Sequence, residues 1–275
     1  MISKEKFSQN NNMISILGIP LDENSSFMRG AAKAPFAIMD AFHSDSSNMF
    51  SENGFNCGDT NKIKALDVLK LSSGKAAMDS IRITVKKELE YDQKVLSLGG
   101  DHSVTFPIIQ AYAEKHKELN ILHFDAHPDL YDNFDNNPYS HASPFARIME
   151  NNLIRRLVQV GIRTLNDHQL EQVNRFGVEV IEMKDLDMNV LLQFDGPVYI
   201  SFDMDSLDPA YAPGVSHHEP GGLSTRNVIQ IIHQLEGSVV GGDIVELNPD
   251  RDINNITALT AAKLMKEIMG KMMMP

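Results

Sequence analysis

Six aspartates and two histidines stand in three short clusters, each closing an apolar run. The clusters read Gly99-Gly-Asp-His102, Phe124-Asp-Ala-His-Pro-Asp129 and Phe202-Asp-Met-Asp-Ser-Leu-Asp-Pro209. Ionised carboxylates and imidazoles are costly to crowd together unless positive charge sits among them. His102, Asp125, His127, Asp129, Asp203 and Asp205 are therefore candidate ligands of divalent cations. Asp125, His127 and Asp129 are spaced by two, so in extended chain they point the same way. Asp203 and Asp205 repeat the spacing, and Gly99-Gly100 lets the backbone turn tightly into His102. Carboxylates with imidazole and no thiolate suit Mn²⁺ first, then Fe²⁺, Co²⁺ or Ni²⁺, with Zn²⁺ possible. Six ligands are too many for one open catalytic ion, whereas bridging carboxylates can hold two ions about 3.5–4 Å apart. Such a pair lowers the pKa of a shared water and yields hydroxide near neutral pH.

The elements that must position these groups alternate along the chain. Strands are expected over 13–21, 94–98, 119–124, 157–162, 178–181, 197–202 and 239–245. Helices are expected after Ala34-Pro35 and over 75–90, 103–117, 142–150, 167–176, 225–235 and 256–269, while 63–71 is ambiguous. Strand followed by helix, repeatedly, implies an α/β protein with a parallel sheet covered on both faces. Ligands of such sheets bind beyond the carboxyl ends of the strands. Each cluster directly follows a strand, so the architecture brings all three to one edge.

The chain has 275 residues, 42% of them hydrophobic, and shows no linker or repeat. One domain over 13–275, preceded by a flexible tail over 1–12, is the expected organisation. A formal net charge of −12 disfavours a nucleic-acid partner, whose phosphates need Lys and Arg. The single cysteine, Cys57, excludes an internal disulfide and a thiolate metal site. The polar start shows no signal or transit pattern, and no apolar run is long enough to span a membrane. The expectation is a soluble cytoplasmic protein without membrane contact.

Gly-Gly-Asp-His-Ser103, Phe124 to Asp129 and Asp203-Met-Asp-Ser-Leu-Asp-Pro209 resemble the three signatures of the ureohydrolase family of arginases, agmatinases and formiminoglutamases. The likeness runs from about Ile14 to the C-terminus. It is closest to plant-type arginases, in Asn24-Ser-Ser-Phe27, Tyr139 to Glu150, Ala212 to Gly222 and Asp243 to Pro249. The resemblance implies a three-layer α/β/α fold with a central, mostly parallel sheet and two Mn²⁺ per subunit. His102, Asp125, Asp129 and Asp203 would hold one ion, and Asp125, His127, Asp203 and Asp205 the other, with Asp125 and Asp203 bridging. Glu246 resembles the family's guanidinium-binding glutamate, and a carboxylate there gives a charge-assisted, two-point grip on a planar cation. His141 matches the family's mobile histidine, suited by an ordinary pKa near 6.5 to pass protons to the leaving amine. Hydroxide attack on a small guanidino substrate would release urea and an amine. A homo-oligomer, trimer or hexamer, is also implied.

Without the resemblance, His141 is a loop histidine before a helix and Glu246 a strand-end carboxylate. His123 reads as a satisfied core group beside the cluster, Asp208 as a turn cap, and His43, His116, His168 and His233 as solvated. Arginine carries an α-carboxylate and agmatine does not, so an arginine pocket needs a donor or cation for it. Asn24, Ser25, Asn133 and His217 are the substrate-binding candidates, with Ser26, Arg147 and His218 beside them. The acidic loop 130–139 favours agmatine, while the overall likeness favours arginine, and formiminoglutamase is a further alternative. A metal-stabilised scaffold or regulatory subunit is the non-enzyme reading, opposed by the intact ligand set with Glu246 and His141. A one-metal deacetylase is opposed by the number of ligands.

Overall fold

A computed structural model describes residues 13–274, and the expected tail over 1–12 lies outside the described residues. The elements, in chain order, are β1 (Ile14–Gly18), α1 (Ala34–Phe42), β2 (Ile63–Ala65), α2 (Lys75–Glu90), β3 (Lys94–Leu98), α3 (Thr105–Lys115), β4 (Asn120–Phe124), α4 (Pro144–Glu150), β5 (Arg156–Ile162), α5 (Asp167–Phe176), β6 (Glu179–Glu182), β7 (Gln193–Asp203), α6 (Thr225–Gln234), β8 (Glu236–Val245) and α7 (Ile256–Met272). The strands join in the order β2-β1-β3-β8-β7-β4-β5-β6. Every pairing is parallel, so the mostly parallel sheet expected from the sequence is parallel throughout.

Side chains alternate between the two faces, as the period of two requires. Leu96, Leu98, Leu122, Phe124, Ile200, Phe202 and Ile244 pack in one core with α1, α6 and α7. Val95, Ile121, Leu157, Tyr199 and Val245 pack in the other with α2, α3 and α4. This gives the three-layer α/β/α arrangement, with both faces of the central strands dry.

The differences from expectation lie at element ends. The ambiguous 63–71 supplies only the three-residue edge strand β2. β7 starts at Gln193 and β8 at Glu236, earlier than the apolar runs suggest, because Gln193 pairs with Glu236 before the register shifts ahead of Pro197. Those first residues are polar and partly exposed, so no apolar pattern marks them. α4 starts at Pro144, where a proline without an N–H suits the first turn.

The four strands that carry the clusters and Glu246 are β3, β8, β7 and β4, which are consecutive neighbours in the sheet. Leu98 is level with Ile244, Ile244 with Phe202, and Phe202 with Phe124. With strands about 4.8 Å apart, these four carboxyl ends fall within roughly 15 Å.

Candidate active site

Each chemical group leaves its strand by a turn with little steric freedom. A Cβ on Gly100 would run into the Leu21 carbonyl, which is what lets Asp101 N–H donate to Leu21 O at 2.8 Å. Glu246 leaves β8 with φ 63° and Asp129 leaves its loop with φ 52°. Both lie in the left-handed region that non-glycine residues adopt only at a cost, which concentrates at functional sites.

The six candidate ligands converge at the sheet edge. His102 Nδ1 lies 3.2 Å from Asp125 Oδ2, 3.0 Å from Asp129 Oδ2 and 3.2 Å from Asp203 Oδ2. His127 Nδ1 lies 3.3 Å from Asp125 Oδ1 and 3.2 Å from Asp205 Oδ2. Asp125 thus offers one oxygen to each histidine, the placement of a bridging carboxylate. Asp203 offers Oδ2 to the first group, while its Oδ1 accepts the Asp205 N–H at 2.8 Å. Adjacent ligands about 2.1 Å from an octahedral ion are separated by about 3 Å, which these spacings fit.

Two further observations test the fit. His102 Nδ1 is buried with no hydrogen-bond partner. On its other side, His102 Nε2 sits 3.0 Å from Ser201 Oγ, whose proton goes to Asp243 Oδ1 at 2.8 Å. Ser201 must therefore accept from Nε2–H, which turns Nδ1 to three carboxylates, a position that takes a proton or a metal cation. The electrostatics agree. Burial opposes charge on His102 and His127, yet the surrounding aspartates hold both well above the usual imidazole range. Burial and the neighbouring Asp125 push Asp129 up to about 7. The cluster needs positive charge, and the donor set suits divalent cations.

His123 Nε2 lies 2.9 Å from Asp125 Oδ2, so His102, His123 and Asp125 also form a possible metal group. Gln159 Nε2 donates to His123 Nδ1 at 3.0 Å, so His123 donates through Nε2 and supports Asp125. Burial holds its pKa down to about 4 against the pull of Asp125.

Beside the ligands, His141 Nδ1 donates to Glu246 Oε1 at 2.8 Å and its Nε2 meets Ser26 Oγ at 2.8 Å. The same Oε1 accepts the His102 N–H at 2.9 Å. Burial disfavours the imidazolium, but Glu246, with Asp101 and Asp129 beyond it, raises His141 to about 9. Glu246 is lowered despite its burial, chiefly by His141. The pair is an imidazolium–carboxylate couple at neutral pH.

His127, Asp129, Asp203, Asp205, His141 and Glu246 line a cleft of about 690 Å³, its open mouth included, together with Ser26, Tyr131, Phe134, Thr164, Gln169, His217 and Glu219. Of the four substrate-binding candidates, His217 alone is on the wall. Asn24 is held by Ser103 and Asn137, Ser25 donates to Asp101, and Asn133 is exposed away from the cleft. Arg147 clasps the carbonyls of Asp132 and Pro138 instead of facing the cleft. Thr164 and Gln169 follow β5 and are uncharged, so neither stands out in the sequence beside Asp167 and His168. Among the outlying histidines His43 is exposed, but His116, His168 and His233 are half-buried. His168 stacks on Tyr131 at 5.3 Å, and His233 Nε2 lies 2.7 Å from the buried Glu267. Asp208 accepts from the N–H groups of Ala210, Gly221 and Gly222, a structural turn cap.

Comparison with known proteins agrees with this geometry. The mitochondrial arginase of Medicago truncatula is 48% identical over 275 residues, covering 94% of this chain and 81% of that protein. Mitochondrial arginase 1 of Arabidopsis thaliana is 47% identical, covering 94% and 80%. The solved structure of the Medicago truncatula arginase superposes with a TM-score of 0.91 at 46% identity, covering 95% of this chain and 88% of that one. Both plant relatives are named mitochondrial, which overturns the cytoplasmic location expected from the sequence. An acidic chain with one cysteine suits either compartment, so composition had no power to decide. Among the described residues no helix is long and apolar enough to cross a membrane. The model of the arginase family matches residues 12–270, and the chain belongs to that family.

Proposed function

We propose that this protein is an arginase, hydrolysing L-arginine to L-ornithine and urea in a single catalytic domain over 13–275. The observation that carries the reading is the placement of Glu246 and His141 on the wall of the cleft lined by His127, Asp129, Asp203 and Asp205 of the converging cluster. His102, Asp125, Asp129 and Asp203 would hold one Mn²⁺, and Asp125, His127, Asp203 and Asp205 a second. When bound, such ions supply a water acidic enough to ionise near neutral pH.

The chain's own groups do the rest. Glu246 Oε1 is spent on His141 and the His102 N–H, so Oε2 is free to accept from the guanidinium. His141, charged at neutral pH, holds a proton that it can deliver to the departing amine. Tyr131 and Phe134 narrow the cleft beside the substrate's aliphatic stem.

Agmatine is the second reading, favoured by one observation: among the described residues no lysine or arginine lines the cleft to meet an α-carboxylate. A homo-oligomer, trimer or hexamer, completes the proposal, supported by the exposed Phe27, Phe36, Tyr211 and Ile253. Urea release from arginine, agmatine and shorter guanidino acids, with Mn²⁺ added, tests the reading. Arginine is expected to be the best substrate, and urea from none of them would support the scaffold instead.

A further inference from the structure

Among the described residues five acidic residues line the cleft: Asp129, Asp203, Asp205, Glu219 and Glu246. The three aspartates belong to the ligand cluster, and Glu246 is paired with His141. Glu219 is left over. Among the described residues its carboxylate has no hydrogen bond or ion pair, and it is half-buried on a wall without lysine or arginine. A carboxylate kept in that setting attracts a cation brought by the ligand.

The backbone beneath it is fixed. Arg163 donates to the Glu219 carbonyl through Nε at 2.9 Å and Nη2 at 2.6 Å. The same guanidinium reaches the carbonyls of Asp205 at 2.7 Å and Ser206 at 3.2 Å. It therefore ties the loop that presents Glu219 to the loop that presents Asp205. Asp208 Oδ2 accepts from Gly221 and Gly222 just beyond, and a Cβ on Gly222 would lie 2.7 Å from Arg163 Nη2. Glu219 thus stands on the cleft wall on a braced turn tied to the loop of Asp205.

We propose that Glu219 is the specificity residue that reads an ammonium group at the far end of the substrate. The inference rests on the reading of this chain as a guanidino hydrolase and narrows its substrates to guanidines carrying a distal amine. Arginine and agmatine share that cation. The α-carboxylate of arginine then meets only uncharged donors: Gln169, whose Oε1 is held by the Leu130 N–H so that Nε2 is free, and the Tyr131 hydroxyl, which accepts from Asn166 and keeps its proton. A guanidino acid with a carboxylate and no amine is repelled.

The test compares wild type with Glu219→Gln on four compounds: L-arginine, agmatine, n-butylguanidine and 4-guanidinobutyrate. For the two amines, kcat/KM is expected to fall about 10- to 100-fold, mainly through KM, the scale of a hydrogen bond to a charged group. n-Butylguanidine should change less than about threefold, and 4-guanidinobutyrate should improve. Equal losses on all four compounds would mark Glu219 as merely structural and overturn the proposal, as would unchanged kinetics on the amines. Calorimetric binding of agmatine and n-butylguanidine to the manganese-loaded protein separates this proposal from the parent reading. If wild type releases no urea but prefers agmatine, and the variant loses that preference, the hydrolase reading fails and Glu219's role stands. If wild type binds the two equally, Glu219 does not read the amine.

Discussion

Ser201 and Asp243 show how the ring of a candidate ligand is oriented by groups set back from the cluster it faces. The Ser201 proton is committed to Asp243, so His102 must donate through Nε2 and turn Nδ1 to the aspartates. Ser201→Ala frees the ring to take the other tautomer, and Mn²⁺ affinity should fall about 10- to 100-fold by titration. Unchanged affinity would show that the relay does not orient His102. His141→Ala should lower kcat on the order of 10²-fold while metal content stays at the wild-type level. Metal loss in that variant would place His141 among the ligands. The convergence of the six candidate ligands, and of His141 with Glu246, was legible because acids and histidines at strand exits stand out. Ser26, named beside the candidates, is on the wall, whereas Thr164, Gln169 and Glu219 were not singled out, because their neighbours in the cleft are distant in sequence.

Within the elements, one rung of the sheet is polar. Ser97, Asp243, Ser201, His123 and Gln159 are register partners across β3, β8, β7, β4 and β5. All five are buried, and Asp243, Ser201, His123 and Gln159 bond towards the ligand cluster. Polar residues inside strands buried on both faces are the sequence signal that marks such a layer, since burial demands partners. Only His123 was read in that way. The strand and helix order was legible from apolar periodicity, and α2 matches its expected bounds of 75–90. The starts of β7 and β8 were not, because their pairing begins in polar, exposed chain. Gly100 is the turn that lets β3 deliver His102. Gly100→Ala should lower unfolding stability by at least about 3 kcal/mol, because the obstruction is main chain and cannot step aside. An unfolding midpoint equal to wild type would refute that steric argument.

At the scale of the whole molecule, four contiguous parallel strands carry an acidic cluster to one edge of a chain whose net charge is −12. The folded state holds these carboxylates close together, so divalent cations that bind it alone must stabilise it. Chelation should lower the melting temperature and re-addition of Mn²⁺ restore it, with about 2.7 kcal/mol per site at a hundredfold excess over Kd. A melting temperature indifferent to chelator would mean that the cluster is structural. Family and architecture were legible in the three clusters, whereas cellular location was not, since neither charge nor core composition encodes an address. The most direct test of the account is the manganese stoichiometry of the purified, manganese-supplied protein by elemental analysis. Two equivalents per chain are predicted, and a chain that retains one or none would contradict a binuclear centre.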